Sequence, residues 1–167
     1  MEQSRSAAPV SAHAEIEIGA EERVVWAIIA DIAAWPSWDH AVRQVSFDGE
    51  LENGAAFHYT STLGQLSSRL TRVDAPRELA WRGRAWLLTL QQACRIEPGV
   101  AGSHVRVEAN LSGLVARIFH RRLQARLGDE LDSFTHLLKL EAEMRSFEER
   151  AEAARAEATE AERDGDG

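Results

Sequence analysis

Cysteine and histidine are the residue types of this sequence that could supply a nucleophile or hold a metal ion. Cys94 is the only cysteine, and a thiolate nucleophile needs a base within hydrogen-bond reach. The nearest candidate base, His104, falls in another predicted strand, so we expect Cys94 to be a buried structural residue. The six histidines show no His-x-His and no paired helical spacing, which predicts no metal site. They are His13, His40, His58, His104, His120 and His136.

Polar residues that share a strand face with apolar ones are better candidates for ligand binding. In "AFHYTSTL", Phe57, Tyr59 and Ser61 lie on one face, and Ser68 and Gln92 occupy matching positions in the strands "QLSSRL" and "WLLTLQQACRIE". A mostly apolar wall with a few polar points is typical of a small-molecule pocket. The alternative is a filled core in which these polar groups bind one another or water. The predicted lining further includes Trp81, Leu88 and Leu90.

Two tryptophans flank a proline in "DIAAWPSWDHAV". Pro36 ends the preceding predicted helix and is suited to the first turn of a second, short one. The rings of Trp35 and Trp38 are then held beside the open end of a sheet. We expect Trp38 to be buried against the sheet and to line the cavity, with Trp35 nearer its entrance. Trp86 falls at a predicted hairpin turn, from which it could also reach the rim.

The segment "RIFHRRLQAR" opens the last predicted helix with four arginines. Most of them should form the solvated side of that helix. Arg122 follows Phe119 by three residues and borders the apolar stripe, so both are predicted to contact a ligand. A guanidinium at the cavity edge could pair with a carboxylate or an enolate.

These side chains need a scaffold, and the order of predicted elements supplies one. A strand over 12–18 precedes an apolar helix and the short helix at Pro36, and six alternating strands follow with short connections. The last helix carries apolar residues at steps of three or four from Val115 to Leu138. The prediction is an α+β helix-grip fold, in which a curved antiparallel sheet of about seven strands wraps around a long C-terminal helix. A bent sheet cannot touch the helix along its whole length, which leaves an interior gap.

Charge and composition divide the chain into three parts. Residues 1–11 are predicted to be disordered, 12–140 to form the helix-grip domain, and 141–167 to be a charged helical extension that frays into a disordered tail. Residues 141–167, which we call the acidic tail, hold ten acidic and four basic residues and account for −6 of the net charge of −8. Binding to nucleic acid needs a clustered positive face, and the charge distribution of this chain therefore argues against nucleic acid as a partner. One cysteine allows no intrachain disulfide, and no apolar run resembles a signal peptide or a membrane span, so we expect a cytoplasmic protein.

The chain resembles the START-like (Bet v 1-like, SRPBCC) superfamily from about Glu15 to Leu140, and within it the polyketide cyclase/dehydrase group. The residues that carry the resemblance are "VVWAIIADIAAWPSWDHAV", Gly49 and Gly54 before "FHY", "VDAPRELAWRG", and "HVRVEANLSG" leading into the last helix. The resemblance implies an internal pocket for apolar or amphipathic molecules, and often a histidine or another polar residue near Gln92. The superfamily shares no universal catalytic set.

Together these observations predict that the protein binds a small hydrophobic or aromatic, polyketide-like molecule inside the cavity, without a metal or cofactor, as a monomer or weak homodimer. One alternative is an aromatic cyclase/dehydratase that polarises a carbonyl with Tyr59 and Gln92, or with Arg122. The apparent lack of an inward-facing acid or base that titrates near neutral pH counts against it. A second alternative is an interaction module that uses the acidic tail.

Overall fold

A computed structural model describes residues 9–164 of the chain. The predicted disorder at the two ends falls partly on residues 1–8 and 165–167, which lie outside the described residues. Residues 10 and 11, also predicted to be disordered, instead begin the first strand. None of the helices in the described range combines the length and the apolar character needed to cross a bilayer.

The N-terminal part of the fold is one strand followed by short helical elements. Strand β1 spans Val10–Ile18, helix α1 spans Glu22–Ala30, and helix α2 spans Trp35–Trp38. A 3₁₀ turn, Ile32–Ala34, separates the two helices. Helix α1 buries its valine and isoleucine face, and Pro36 occupies the first turn of α2, where its missing N–H costs no helical hydrogen bond.

Six further strands complete one antiparallel sheet of seven. In sheet order the strands run β1-β7-β6-β5-β4-β3-β2, so only β1 is out of sequence, and it pairs with the last strand. The predicted meander is therefore present, and the α+β helix-grip arrangement is confirmed. The six strands are β2 (Gln44–Ser46), β3 (Ala56–Ser61), β4 (Gly64–Asp74), β5 (Glu78–Ala85), β6 (Leu88–Pro98) and β7 (Ser103–Ser112).

The C-terminal region contains two helices where the sequence predicted one. Helix α3 spans Leu114–Ile118, and helix α4 runs from His120 to Asp164. The break falls at Phe119, whose φ of −106° and ψ of 22° are not helical. Helix α4 continues through Gly128 and far beyond Leu140, and it forms one continuous rod through Asp164.

Helix α4 packs on the concave face of the sheet through an apolar stripe that begins at Leu127. From Leu127 to Ala142 this stripe recurs every three or four residues and is buried, and its members are Leu127, Leu131, Phe134, Leu138 and Ala142. Polar contacts then fix the rod to the end of β1. Glu143 Oε1 accepts the Gly19 N–H at 2.8 Å, and Lys139 Nζ donates to the Glu17 carbonyl at 2.6 Å. The sheet, α1 and the first half of α4 thus enclose a single core.

Candidate functional site

A cavity of about 50 Å³ lies between the concave face of the sheet and α4. Three strands, β3, β5 and β6, contribute to its wall because alternate residues of each strand point to the helix. Their side chains in the cavity wall, together with one from the β3–β4 turn, are Tyr59, Ser61, Leu63, Trp81, Leu90 and Gln92. Helix α4 forms the opposite wall with Leu127, Glu130, Leu131 and Phe134. The predicted gap between rod and sheet exists, although most of it is filled.

Aromatic rings cluster around Trp35 in one part of the wall, which we call the aromatic floor. Trp35 stands at the centre of this cluster, with its ring centroid 5.0 Å from that of Trp81, 5.7 Å from Phe57 and 5.9 Å from Tyr59. Its indole N–H donates to the Ile29 carbonyl at 3.0 Å, which fixes the ring relative to α1. Edge-on contacts of this kind add to the apolar burial and leave little rotational freedom. The aromatic floor of the cavity is therefore rigid.

The Tyr59 hydroxyl is positioned by a hydrogen bond from inside the cluster. Trp81 Nε1 donates to its oxygen at 3.3 Å, so the O–H proton of Tyr59 remains available for another acceptor. Burial raises the pKa of the hydroxyl, which keeps it protonated at neutral pH. Tyr59 is thus an oriented hydrogen-bond donor at the wall of the cavity.

Two carboxyl groups also line the cavity, Asp39 and Glu130. Glu130 lies where the β3–β4 turn meets α4 at the surface, and we call this edge of the cavity its mouth. Asp39 follows α2 and is only 6% exposed, and its Oδ1 accepts the Ala41 N–H at 3.0 Å. Burial raises the pKa of Asp39, and the charge of nearby Glu130 raises it further. Glu130 accepts a hydrogen bond from Thr62 Oγ1 in the β3–β4 turn and lies 3.4 Å from Arg126 Nε. Asp39, whose pKa is raised, therefore lies near Glu130, which is bonded to Thr62 and Arg126.

Five of the predicted binding residues come together at the cavity. They are Tyr59, Ser61, Trp81, Leu90 and Gln92. Three more face the interior as the strand alternation predicted, but they pack into the core outside the cavity: Phe57, Ser68 and Leu88. Cys94 is fully buried, and burial raises its pKa to about 12, consistent with an unreactive thiol.

Three predicted contacts are corrected by the structure. Trp38 is buried, but it does not line the cavity, since its ring packs against Phe134 of α4 with centroids 5.3 Å apart. Trp35 occupies the cavity position beside the sheet that was predicted for Trp38. Phe119 is 50% exposed because the helix breaks at that residue and turns its ring away from the stripe. Arg122, one turn farther on, is exposed for the same reason and does not reach the cavity. Trp86 is also on the surface and does not contribute to the cavity.

The two acidic residues of the site were missed by sequence reasoning, although one of them had a readable signal. Glu130 follows Leu127 by three residues and precedes Phe134 by four, which places it on the apolar stripe of α4. A charged residue within such a stripe is a candidate for an interior role. Asp39 lies in an irregular segment after α2, where no periodicity predicts which way a side chain points.

The size and chemistry of the cavity limit what it can hold as it stands. About 50 Å³ is room for one or two water molecules, whereas small-molecule pockets measure roughly 300–1,000 Å³. Within residues 9–164 there is no group of three or more histidine, cysteine or acidic side chains that could hold a metal ion. The donors and acceptors present are suited to binding a polar organic group.

Comparisons with known proteins agree with this architecture. A model of the family described as "Polyketide cyclase / dehydrase and lipid transport" matches residues 9–143. No curated protein matches the chain. A START superfamily protein from Mycobacterium smegmatis superposes with a TM-score of 0.68 at 13% identity, covering 83% of this chain and 97% of the other.

Two other solved structures show the same fold. A hypothetical protein from Helicobacter pylori gives a TM-score of 0.67 at 14% identity, with coverage of 80% of this chain and 86% of that one. The di-domain ARO/CYC protein StfQ from the steffimycin biosynthetic pathway gives a TM-score of 0.68 at 13% identity, with coverage of 81% of this chain and 51% of that one. The chain thus corresponds to about half of the di-domain protein. At these identities the likeness to solved structures shows the fold alone. The family match over residues 9–143 confirms the predicted resemblance.

Proposed function

Because the chain belongs to the polyketide cyclase / dehydrase and lipid transport family, we propose that it binds a small molecule with an apolar body and a polar end between the sheet and α4. The family is built on a small-molecule-binding fold. The aromatic floor around Trp35 would hold the apolar body. The carboxyl groups at the mouth would contact the polar end, and Tyr59 would contact an oxygen deeper in the ligand.

The burial of Asp39 beside a void is the observation that supports this proposal most. A carboxyl group that is 6% exposed, with one backbone N–H as its only hydrogen-bond donor among the described residues, is costly to keep in a folded protein. The nearby negative charge of Glu130 adds to that cost. A sealed core would replace such a group with an apolar residue, whereas a binding site retains it to recognise a ligand.

Binding requires the mouth to widen, and the contacts that close it are weak. The β3–β4 turn is tied to α4 by the bond between Thr62 and Glu130, both partners of which are near the surface. Arg126, which contacts the same carboxylate, is 58% exposed. Solvent-exposed contacts of this kind contribute about 0–1 kcal/mol each. The turn can therefore move away from α4 at little cost, while the aromatic floor stays in place.

The polar end of the ligand is expected to donate hydrogen bonds or to carry a positive charge. Two carboxyl groups at the mouth would repel an anion and accept N–H or O–H groups. Aromatic faces beside them also favour a cationic or polarised group. Tyr59 adds one donor, which suits a carbonyl or ether oxygen deeper in the ligand.

The experiment that tests the proposal uses N-phenyl-1-naphthylamine, an apolar amine whose fluorescence rises on burial. We expect saturable binding to the wild-type protein and its loss in Leu131→Trp, because Leu131 lines the cavity and a larger ring would fill it. Leu140→Trp is the matched control, since Leu140 lies on the same helix but is 65% exposed. Binding that survives the Leu131 substitution, or that is equally impaired by the control, would contradict the proposed site.

A second candidate function is catalysis of a cyclisation or dehydration, and the acidic residues favour it. A carboxyl group whose pKa is raised by burial can take a proton from a carbon next to a carbonyl, while the Tyr59 O–H donates to the carbonyl oxygen. Deuterium exchange at that carbon of 1-tetralone, followed by NMR in D₂O, tests the first step. We expect Asp39→Asn to abolish any exchange above the buffer rate while keeping N-phenyl-1-naphthylamine binding. Exchange at the buffer rate in the wild-type protein would argue for binding alone.

A further inference from the structure

Five large apolar side chains are exposed together at one end of the molecule, and we call them the apolar tip. Two belong to the β5–β6 turn, Trp86 at 83% and Leu87 at 47% exposure. The other three come from α3 and the residue after it, namely Leu114 at 54%, Ile118 at 62% and Phe119 at 50%. Single exposed apolar residues are ordinary, but a cluster of this size on a folded protein indicates an interaction surface.

Backbone contacts hold the two halves of the apolar tip against each other. The Leu87 carbonyl accepts the Val115 N–H at 3.4 Å. A Cβ placed on Gly113, whose φ is 107°, would lie 2.4 Å from the same carbonyl oxygen, so only glycine allows α3 to start this close to the turn. The apolar tip is therefore one fixed surface and not two independent loops.

Arginines flank the apolar tip in sequence, and the two segments that form the tip contain no acidic residue. Arg84 precedes the turn, and Arg117, Arg121 and Arg122 lie on or just after α3. The sequence contains no aspartate or glutamate between residues 79 and 96 or between 109 and 128. None of these four arginines forms an ion pair with another described residue, whereas Arg23, for example, pairs with two glutamates. The acidic end of α4 lies roughly 65 Å away along the helix axis.

We propose that the apolar tip docks on the surface of an anionic lipid bilayer, with its apolar side chains at the level of the headgroups and its arginines on the lipid phosphates. A protruding tryptophan and aliphatic residues within a basic rim are the combination that binds such an interface. A second copy of the chain fits less well, because a two-fold contact through the same surface would bring the arginines of both copies together. Residues 1–8, "MEQSRSAA", offer too few apolar side chains to cover the surface.

The location of the apolar tip relates it to the cavity without depending on it. Ser67 pairs with Arg84, so the β3–β4 turn at the cavity mouth and the β5–β6 turn lie at the same end of the sheet. A protein docked through the apolar tip would hold the mouth close to the lipid, where an apolar ligand is most concentrated. The docking goes beyond the proposed function, and lipid binding can be measured with no ligand present.

The first test measures co-flotation with phosphatidylcholine vesicles that contain or lack phosphatidylglycerol. We expect the wild-type protein to partition onto the anionic vesicles, and the double variant Trp86→Ser, Ile118→Ser to partition at least about tenfold more weakly. The matched control is Met144→Ser, Phe147→Ser, which removes two apolar residues that are 53% and 67% exposed on α4. The control should leave the partition unchanged.

The second test examines the basic rim in the same assay. Arg121→Gln with Arg122→Gln is expected to weaken partition about thirty-fold, the loss typical of two arginines near an anionic surface. Arg150→Gln with Arg155→Gln, on the exposed end of α4, is the control and should have no effect. Circular dichroism of each variant confirms that it is folded.

Four results would overturn the proposal. They are no partition of the wild-type protein, equal partition onto neutral vesicles, controls that lose as much as the test variants, and test variants that retain full partition. Sedimentation equilibrium of the vesicle-free protein addresses the rival occupant. Self-association abolished by the substitutions at Trp86 and Ile118 would assign the apolar tip to a second copy instead.

Discussion

Replacing Tyr59 with phenylalanine tests the central contact of the cavity wall. The substitution keeps the ring and its packing against Trp35 and Phe57, but it removes the oxygen that accepts the Trp81 N–H. Trp81 is 4% exposed, so its indole N–H would lose its only acceptor among the described residues. A buried donor left unpaired costs about 1–3 kcal/mol.

The expected result is a lower free energy of unfolding by about 2 kcal/mol, the middle of that range. For a chain of this size each kcal/mol corresponds to roughly 2–4 °C, so the melting temperature should fall by about 4–8 °C. Urea denaturation followed by tryptophan fluorescence gives the free energy, with an unchanged m-value showing that the change is in stability.

A double-mutant cycle isolates the hydrogen bond from the other effects of the substitutions. Trp81→Phe removes the donor together with some packing. The single variant Trp81→Phe and the double variant share this packing loss, so the cycle cancels it. We expect a coupling energy of about 1 kcal/mol between the two positions. The proposed hydrogen bond would be refuted in either of two cases. The effects of the two substitutions could be additive, or the free energy of unfolding of Tyr59→Phe could lie within about 0.5 kcal/mol of wild type.

Two further predictions concern buried polar groups. Ser68 Oγ is buried with no hydrogen-bond partner among the described residues, so Ser68→Ala should leave stability unchanged or raise it by about 1 kcal/mol in urea denaturation, and a clear loss would show a missed partner. Because burial raises the pKa of Asp39, the folded state keeps its proton to a higher pH than the unfolded chain does. Its stability must therefore fall as pH rises from about 4 through the folded pKa. Asp39→Asn keeps the acceptor for Ala41 and removes that fall, so its stability advantage in urea should grow with pH, and parallel pH profiles for the two proteins would contradict this.

Strand alternation predicted the interior wall well because burial of one sheet face leaves no freedom in register. A shift by one residue would expose every apolar residue of a strand such as β3, so Phe57 and Tyr59 had to share the inner face. The apolar stripe of the last helix was equally readable from Leu127 onward. These patterns determined the fold and five residues of the cavity wall.

The errors fell where the backbone departs from regular periodicity. The spacing of Val115 and Phe119 fits one continuous helix, but the chain breaks at Phe119, and the stripe loses its phase there. Exposure of Phe119 and Arg122 follows from that single break. The inward position of Asp39 could not be predicted for a related reason. It lies in an irregular segment after a four-residue helix, where no periodicity indicates which way a side chain points.

The acidic residues of the cavity change which function the fold favours. A helix-grip interior with only Tyr59, Ser61 and Gln92 as polar points would be suited to passive storage of an apolar molecule. Asp39 and Glu130 add acidic groups to a small space lined by aromatic rings, where burial first and the charge of Glu130 second disfavour the ionised form of Asp39. In the proposed function, a ligand that donates hydrogen bonds to both carboxyl groups would offset part of that cost. On the proposed function, this pair of carboxyl groups would favour a polar or cationic head group over an anionic one.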